Sequence, residues 1–222
     1  MRVDADKDKG TRLDRDTVYL IASCTKTFTT AGLGILVSEG KLSWDEPIKT
    51  YLPAFETKHD PEVGKRATLK DICSHGTGLA PLDHAVYGFY DEFFNDDKEE
   101  VAIAACLLVA YDFRSRFLYN NTLFGVAGHI IAKKSGESSG TFLRKRIFEP
   151  LGLTRTCTTN KEMTNDNVAV GYTAVTEVSH RRWRESALED GNPQGGAGYI
   201  RSVNPFHLRF WIVSRHLALF VT

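Results

Sequence analysis

The sequence has no excess charge of either sign. Its 28 lysine and arginine residues balance 28 aspartate and glutamate residues, so the formal net charge at pH 7 is zero. Proteins that bind nucleic acid or anionic membranes through bulk charge carry an excess of basic residues. The composition therefore predicts a protein with no nucleic-acid partner and no membrane partner.

The sequence also lacks paired cysteines and long hydrophobic runs. Its four cysteines form no CxxC pair, which argues against a zinc ribbon or a disulfide framework. The charged segment 1–16 has no apolar core of a secretion signal, and the apolar run 206–221 is broken by Arg209, Arg215 and His216. We therefore expect a soluble, cytoplasmic protein with reduced thiols.

Motifs that hold a metal ion or a nucleotide are missing. No HExxH occurs, and His75, His84 and His129 each lack a second ligand four residues on. The sequence contains neither GxGxxG nor GxxxxGK followed by Ser or Thr, so the glycines at 195–198 resemble a phosphate loop only loosely. We expect no metal and no organic cofactor.

The chain is predicted to consist of a short polar segment and one domain. Residues 1–16 are expected to be flexible, and residues 17–222 to form a partial domain. Hydrophobic residues make up 42% of the chain, which is enough for a sizeable core.

The secondary structure is predicted to be mostly helical. A β-prone run at 17–21 precedes a helix over 23–40, which ends at a glycine. The segment 41–66 holds proline and glycine at short intervals and is predicted to be loop. Other helices are predicted over 68–75, 97–109, 121–136 and 141–148 and from residue 204.

Ser23 and Lys26 are the first candidates for chemistry. Residues three apart share one face of a helix, so the Ser23 hydroxyl and the Lys26 amine can meet. A serine needs a neighbouring base to act as a nucleophile, and a partly buried lysine can be that base. The alternative is an N-cap serine with a surface lysine. Ser38 and Lys41 repeat the spacing at a helix end, without surroundings that would bury the lysine.

The second candidate is Tyr119-Asn120-Asn121, directly before a predicted helix. A tyrosine beside a lysine can relay a proton, and an asparagine amide can hold a carbonyl or amide group of a substrate. The alternative is an aromatic residue packed at the helix entry with Asn121 as the N-cap.

Several sequence blocks, in order, resemble the serine β-lactamase-related family. This family includes class C β-lactamases, D-alanyl-D-alanine carboxypeptidases, related esterases and fungal transesterases. The similarity covers roughly residues 15–212. The blocks are TVYLIASCTKTFTTAGLGILVSEGKLSWDEPIKTYLP, ATLKDICSHGTGL, FLYNNTLFGVAGHIIAKKSG, IFEPLGLTRT, NVAVGY and GGAGYIRSVNPFHLRF.

The resemblance implies a role for each candidate residue. Ser23 would be the nucleophile that forms an acyl-enzyme, and its backbone N–H would be one oxyanion donor. Lys26 would activate Ser23, and Tyr119 would carry the proton between nucleophile and leaving group. Asn121 would position the amide or carbonyl of the substrate.

The family resemblance also implies an α+β fold of the β-lactamase/transpeptidase type. We expect mainly the helical part of that fold, with the central antiparallel sheet largely missing, because the chain resembles a domain truncated at both ends. The strand that carries Lys/His-Thr-Gly in the family is not found. The lead hypothesis is a serine hydrolase or acyltransferase acting on a small-molecule ester or amide. The alternative is a catalytically inactive remnant that serves as an interaction module.

Overall fold

The structure, a computed structural model, describes most of the chain in several stretches. The described residues are 4–6, 8–83, 99–159, 167–174, 180–182 and 195–203. His84 and the helix predicted from residue 204 lie outside them.

The described residues contain six short strands that pair in twos. All three pairs are antiparallel: β1 with β2, β3 with β6, and β4 with β5. The prediction of a mixed fold with few strands is confirmed. The strands are β1 (Asp4–Asp6), β2 (Thr11–Arg12), β3 (Val18–Leu20), β4 (Tyr172–Ala174), β5 (His180–Arg182) and β6 (Arg201–Val203).

The described residues also contain eight α-helices. A 3₁₀ turn at Ala22–Cys24 precedes the first helix, and a π-helical turn at Arg144–Phe148 follows the seventh. The helices are α1 (Thr25–Ser38), α2 (Ile48–Tyr51), α3 (Pro61–Arg66), α4 (Leu69–Cys73), α5 (Glu100–Ala105), α6 (Asn121–Ser135), α7 (Ser139–Leu143) and α8 (Gly195–Gly198).

The prediction of loop over 41–66 is wrong at α2 and α3. The start of α3 has a recognisable sequence signal, since Asp60 caps it by accepting a hydrogen bond from the Glu62 N–H and Pro61 is its first residue. Both helices are too short for a periodic hydrophobic pattern to stand out. The prolines and glycines in this segment therefore led to the prediction of a loop.

Helices α1 and α6 pack against each other and form the centre of the core. Phe28 and Leu33 of α1 and Val126 and Ile130 of α6 are completely buried. The Phe28 ring meets the Phe148 ring edge-on, with 5.3 Å between centroids. This packing fixes the N-terminal ends of both helices, which carry the candidate residues, relative to each other.

Helix α8 lies against α6 at a contact that only glycine fits. A Cβ atom on Gly196 would lie 2.0 Å from the Phe124 carbonyl oxygen, and a Cβ on Gly128 would lie 3.2 Å from the Gly196 Cα. The neighbours are backbone atoms, which cannot move as a flexible side chain can. The glycines at 195–198, considered above as a loose phosphate loop, thus bring a short helix onto α6.

Gly196→Ala is expected to destabilise the fold by about 3 kcal/mol, because the new methyl group overlaps the Phe124 carbonyl. Urea unfolding measures the change. The control is Gly34→Ala, where the Cβ would meet only Trp44 at 3.6 Å. Alanine favours a helix interior over glycine by about 1 kcal/mol, so this control should be neutral or stabilising. Equal unfolding free energies for Gly196→Ala and the parent would contradict the packing described.

Candidate active site

Ser23 lies in the turn between strand β3 and helix α1. Leu20 of β3 pairs with Arg201 of β6, and the next residue, Ile21, donates its N–H to the Ile200 carbonyl at 2.9 Å. Ala22 then adopts a φ of +45°, a left-handed conformation that is unfavourable for alanine. The turn leaves Ser23 exposed at the N-terminal end of α1.

Lys26 is buried one turn into the same segment, with only 7% of its surface exposed. Its Nζ lies 3.3 Å from Ser23 Oγ, 2.6 Å from Asn121 Oδ1 and 2.8 Å from the Ala197 carbonyl oxygen. An ammonium group has three N–H donors, and these contacts match all of them. The alternative of a surface lysine is therefore wrong for Lys26, because its amine points into the fold.

Burial lowers the pKa of Lys26 below its ordinary value of 10.5. Tyr119 and the Asp83 carboxylate act in the opposite direction and raise the pKa of this amine. The Nζ also lies over the rings of Tyr119 and Phe124, at 4.8 Å and 5.4 Å from their centroids. Burial of this kind makes the neutral amine easier to form, which a general base requires.

Tyr119 contacts Ser23 through its hydroxyl group. Its hydroxyl donates a hydrogen bond to Ser23 Oγ at 2.6 Å, across 96 residues of sequence. Ser23 Oγ is therefore in contact with two groups that can exchange a proton, the Lys26 amine and the Tyr119 hydroxyl.

The two asparagines after Tyr119 have different positions in the structure. Asn120, not Asn121, is the N-cap of α6, where its Oδ1 accepts from the Leu123 N–H at 3.1 Å. The expectation that Asn121 could be the cap is therefore wrong. The Asn121 side chain instead contacts Lys26 through its oxygen and Asp83 through its nitrogen, at 3.1 Å from Asp83 Oδ2.

The His75 ring packs against the Tyr119 ring, a position that the sequence did not reveal. Its ring lies 4.5 Å from the Tyr119 ring and 5.1 Å from those of Phe117 and Phe124, measured between centroids. Its Nδ1 accepts a hydrogen bond from the Asn120 N–H at 3.2 Å. Burial and the nearby Lys26 charge lower the pKa of His75 to about 4, so the ring is neutral at pH 7.

Three further contributors were missed by reasoning from the sequence. They are His75, the Asp83 carboxylate and the carbonyl oxygen of Ala197. Each lies far along the chain from Ser23, and neither His75 nor Asp83 belongs to a short motif of its own. The nearest signal was the GGAG run, because close backbone approach is a common reason for clustered glycines.

The part of the chain that the structure describes holds neither a cluster of metal-binding side chains nor a helix that could cross a membrane. Among those residues, no group of three or more histidine, cysteine, aspartate or glutamate side chains could hold a metal ion. In the same stretches, no helix combines the length and the hydropathy that crossing a bilayer requires.

Comparison with known proteins gives matches over most of the chain. A family model described as Beta-lactamase matches residues 2–204. An unguisins hydrolase from Aspergillus campestris is 30% identical over 151 residues, which is 66% of this chain and 28% of that protein. The chain spans about a third of the length of the first curated relatives that it matches.

Solved structures match with similar identity and higher coverage. The octameric penicillin-binding protein homologue from Pyrococcus abyssi is 26% identical, with a TM-score of 0.79 over 94% of this chain and 47% of that one. The D-amino acid amidase from Ochrobactrum anthropi SV3 is also 26% identical, with a TM-score of 0.77 over 94% of this chain and 59% of that one.

Proposed function

The chain belongs to the beta-lactamase family, as its sequence blocks predicted, and we propose that it is a serine hydrolase or acyltransferase that forms an acyl-enzyme on Ser23. One observation carries the proposal. The Ser23 Oγ lies 3.3 Å from a buried lysine amine and 2.6 Å from a tyrosine hydroxyl, so one oxygen has both a base and a proton carrier within reach.

The first step of the proposed reaction is attack by Ser23 on an ester or amide carbonyl. Neutral Lys26 takes the proton from the Ser23 hydroxyl as Oγ forms a bond to the carbonyl carbon. The carbonyl oxygen becomes an oxyanion, and the proposed donor to it is the backbone N–H of Ser23, a role that the family resemblance implies. The position of Lys26, which is buried and has a lowered pKa, supports its role as the base.

The second step is departure of the alcohol or amine. Collapse of the tetrahedral intermediate re-forms the carbonyl and breaks the bond to the leaving group, which takes a proton from the Tyr119 hydroxyl. Lys26 then returns its proton directly to the Tyr119 hydroxyl, because the two side chains are in hydrogen-bonding contact. Water then hydrolyses the acyl-enzyme, or another nucleophile accepts the acyl group.

The proposed substrate is a small-molecule ester or amide. Asn121 is the proposed partner of the substrate carbonyl, since only one of the two N–H donors of its side chain is needed for the hydrogen bond to Asp83. The name of the D-amino acid amidase among the structural relatives supports an amide substrate, and the hydrolase relative supports water as the acceptor. An acyl-enzyme can form from an ester or from an amide, because the two substrates differ only in the leaving group.

Turnover of a short-chain p-nitrophenyl ester should rise with pH, as Lys26 loses its proton. Since burial lowers the pKa of Lys26, this rise should have its midpoint below 10.5, the ordinary value for lysine. The measurement is kcat/KM against pH, corrected for spontaneous hydrolysis. Circular dichroism at each pH serves as the control for folding.

Two results would contradict the proposal. Folded protein that does not turn over the ester at any pH has no competent nucleophile. A midpoint at or above 10.5 would mean that the group that titrates is not a buried lysine.

A further inference from the structure

We propose that Asp83 is a positioning residue for Lys26 that acts through the side-chain amide of Asn121. The inference deepens the proposed function, on which it rests, by adding a residue to the proton-transfer machinery. Asp83 belongs to neither of the sequence motifs discussed above and reaches the site only in the folded chain.

Asp83, Asn121 and Lys26 are joined by two consecutive hydrogen bonds. Asp83 Oδ2 accepts a hydrogen bond from Asn121 Nδ2 at 3.1 Å, and Asn121 Oδ1 accepts one from Lys26 Nζ at 2.6 Å. The lysine in turn contacts Ser23 Oγ at 3.3 Å. The carboxylate is thus one amide group away from the proposed base.

The chemistry of the carboxylate fixes the orientation of the amide. An ionised carboxylate only accepts hydrogen bonds, so the NH₂ end of Asn121 must face Asp83 and the carbonyl end must face Lys26. The opposite orientation would point two N–H donors at an ammonium group and place an oxygen against a carboxylate. Asp83 therefore selects the orientation of Asn121 in which the amide holds the lysine amine.

The carboxylate also acts on Lys26 through its charge. The other groups that face the amine are Tyr119, Ser23, the Ala197 carbonyl and His75, whose ring is neutral at pH 7. The pKa of Lys26 is lowered chiefly by burial, and both Tyr119 and Asp83 raise it. Asp83 therefore limits how far burial lowers the pKa of Lys26. The amine can then still hold the proton that it takes from Ser23.

The second carboxylate oxygen supports this role. Asp83 Oδ1 is buried and has no hydrogen-bond partner among the described residues. Burying an unpaired oxygen of a charged group costs free energy. Hydrogen bonding alone therefore does not explain a carboxylate at this position. The attraction between an anion and a nearby buried cation does explain it.

The test is to titrate Lys26 in Asp83→Asn and to monitor the titration by NMR of protein labelled with ¹³C in the lysine side chains. The resonance of Lys26 is the one missing from Lys26→Met. Asparagine keeps an oxygen that can accept from Asn121 but removes the charge, so we expect the Lys26 midpoint to move to lower pH. The matched control is Asp45→Asn, which removes an exposed carboxylate that pairs with Lys70. It should leave the midpoint unchanged.

An unchanged Lys26 midpoint in Asp83→Asn would overturn the inference. Thermal melting checks that the variant folds, and Asp83→Ser replaces it if it does not. The titration needs no turnover, so it decides the role of Asp83 even if the parent protein forms no acyl-enzyme. A parent protein that forms no acyl-enzyme would instead count against the proposed function.

A second variant tests the orientation of the amide. Asp83→Ala removes the acceptor as well as the charge, so Asn121 is free to rotate and Lys26 loses its fixed position. We expect acylation to slow by about 10- to 100-fold, the range for a small misplacement of a catalytic group. Asp83→Asn should lie between this variant and the parent. Acylation by Asp83→Ala at the rate of the parent would show that the amide needs no such anchor.

Discussion

Ser23→Ala is expected to reduce turnover of a p-nitrophenyl ester by a factor on the order of 10⁶. The reason is that Ser23 Oγ is the atom on which the Lys26 amine and the Tyr119 hydroxyl converge. Alanine has no atom at that position that can form the bond to the acyl group. Steady-state hydrolysis, corrected for the uncatalysed reaction, measures the loss.

The fold should be unaffected by this substitution. Ser23 is exposed, and substitutions at exposed positions usually change the unfolding free energy by less than about 0.5 kcal/mol. The matched control is Cys24→Ala, which removes the exposed thiol next to Ser23 and should retain turnover. If Ser23→Ala keeps its activity and Cys24→Ala loses it, the nucleophile is the thiol and the proposed assignment is wrong.

Lys26→Met should reduce the rate of acylation by about 10³- to 10⁴-fold at neutral pH. Methionine has a similar length and suits the surroundings of Lys26, which include the Tyr119 and Phe124 rings, but it carries no amine. Without a base, the Ser23 hydroxyl keeps its proton and is a weak nucleophile. Single-turnover formation of the acyl-enzyme, followed by mass, measures the rate.

The matched control for this prediction is Lys41→Met. Lys41 follows Ser38 at the same spacing, but it is half-exposed and pairs with Glu39 at 2.9 Å. Its replacement should leave acylation unchanged. Lys26→Arg adds a second check, because a guanidinium keeps the charge but does not lose its proton near neutral pH. Acylation by either Lys26 variant within a few-fold of the parent rate would exclude Lys26 as the base.

The sequence predicted the part of the site that is local. Ser23 and Lys26 lie three residues apart, so their meeting needs only one turn of helix. Tyr119 and Asn121 were a separate candidate, and only the family resemblance joined them to Ser23 and Lys26, since no local pattern joins positions about a hundred residues apart. His75, Asp83 and the Ala197 carbonyl were not found, because tertiary packing alone brings them to Lys26.

The same distinction between local and long-range information applies to the fold. Helices α1 and α6 were predicted correctly because both are long, and Gly136, with a φ of +80°, ends α6 as expected for a C-cap. Strand β3 was predicted from its β-prone residues, but its pairing with β6 joins Val18 to Val203. Such a register depends on the whole chain and has no signal in either strand alone.

The central claim is that Ser23 becomes acylated, and peptide mapping tests it most directly. The protein is mixed with a reactive p-nitrophenyl ester, quenched in acid, digested and analysed by mass spectrometry, beside Ser23→Ala and Cys24→Ala. We predict one acyl group on Ser23 in the parent and in Cys24→Ala, and none in Ser23→Ala. No adduct on folded parent protein, or an adduct that Ser23→Ala retains, would contradict the claim.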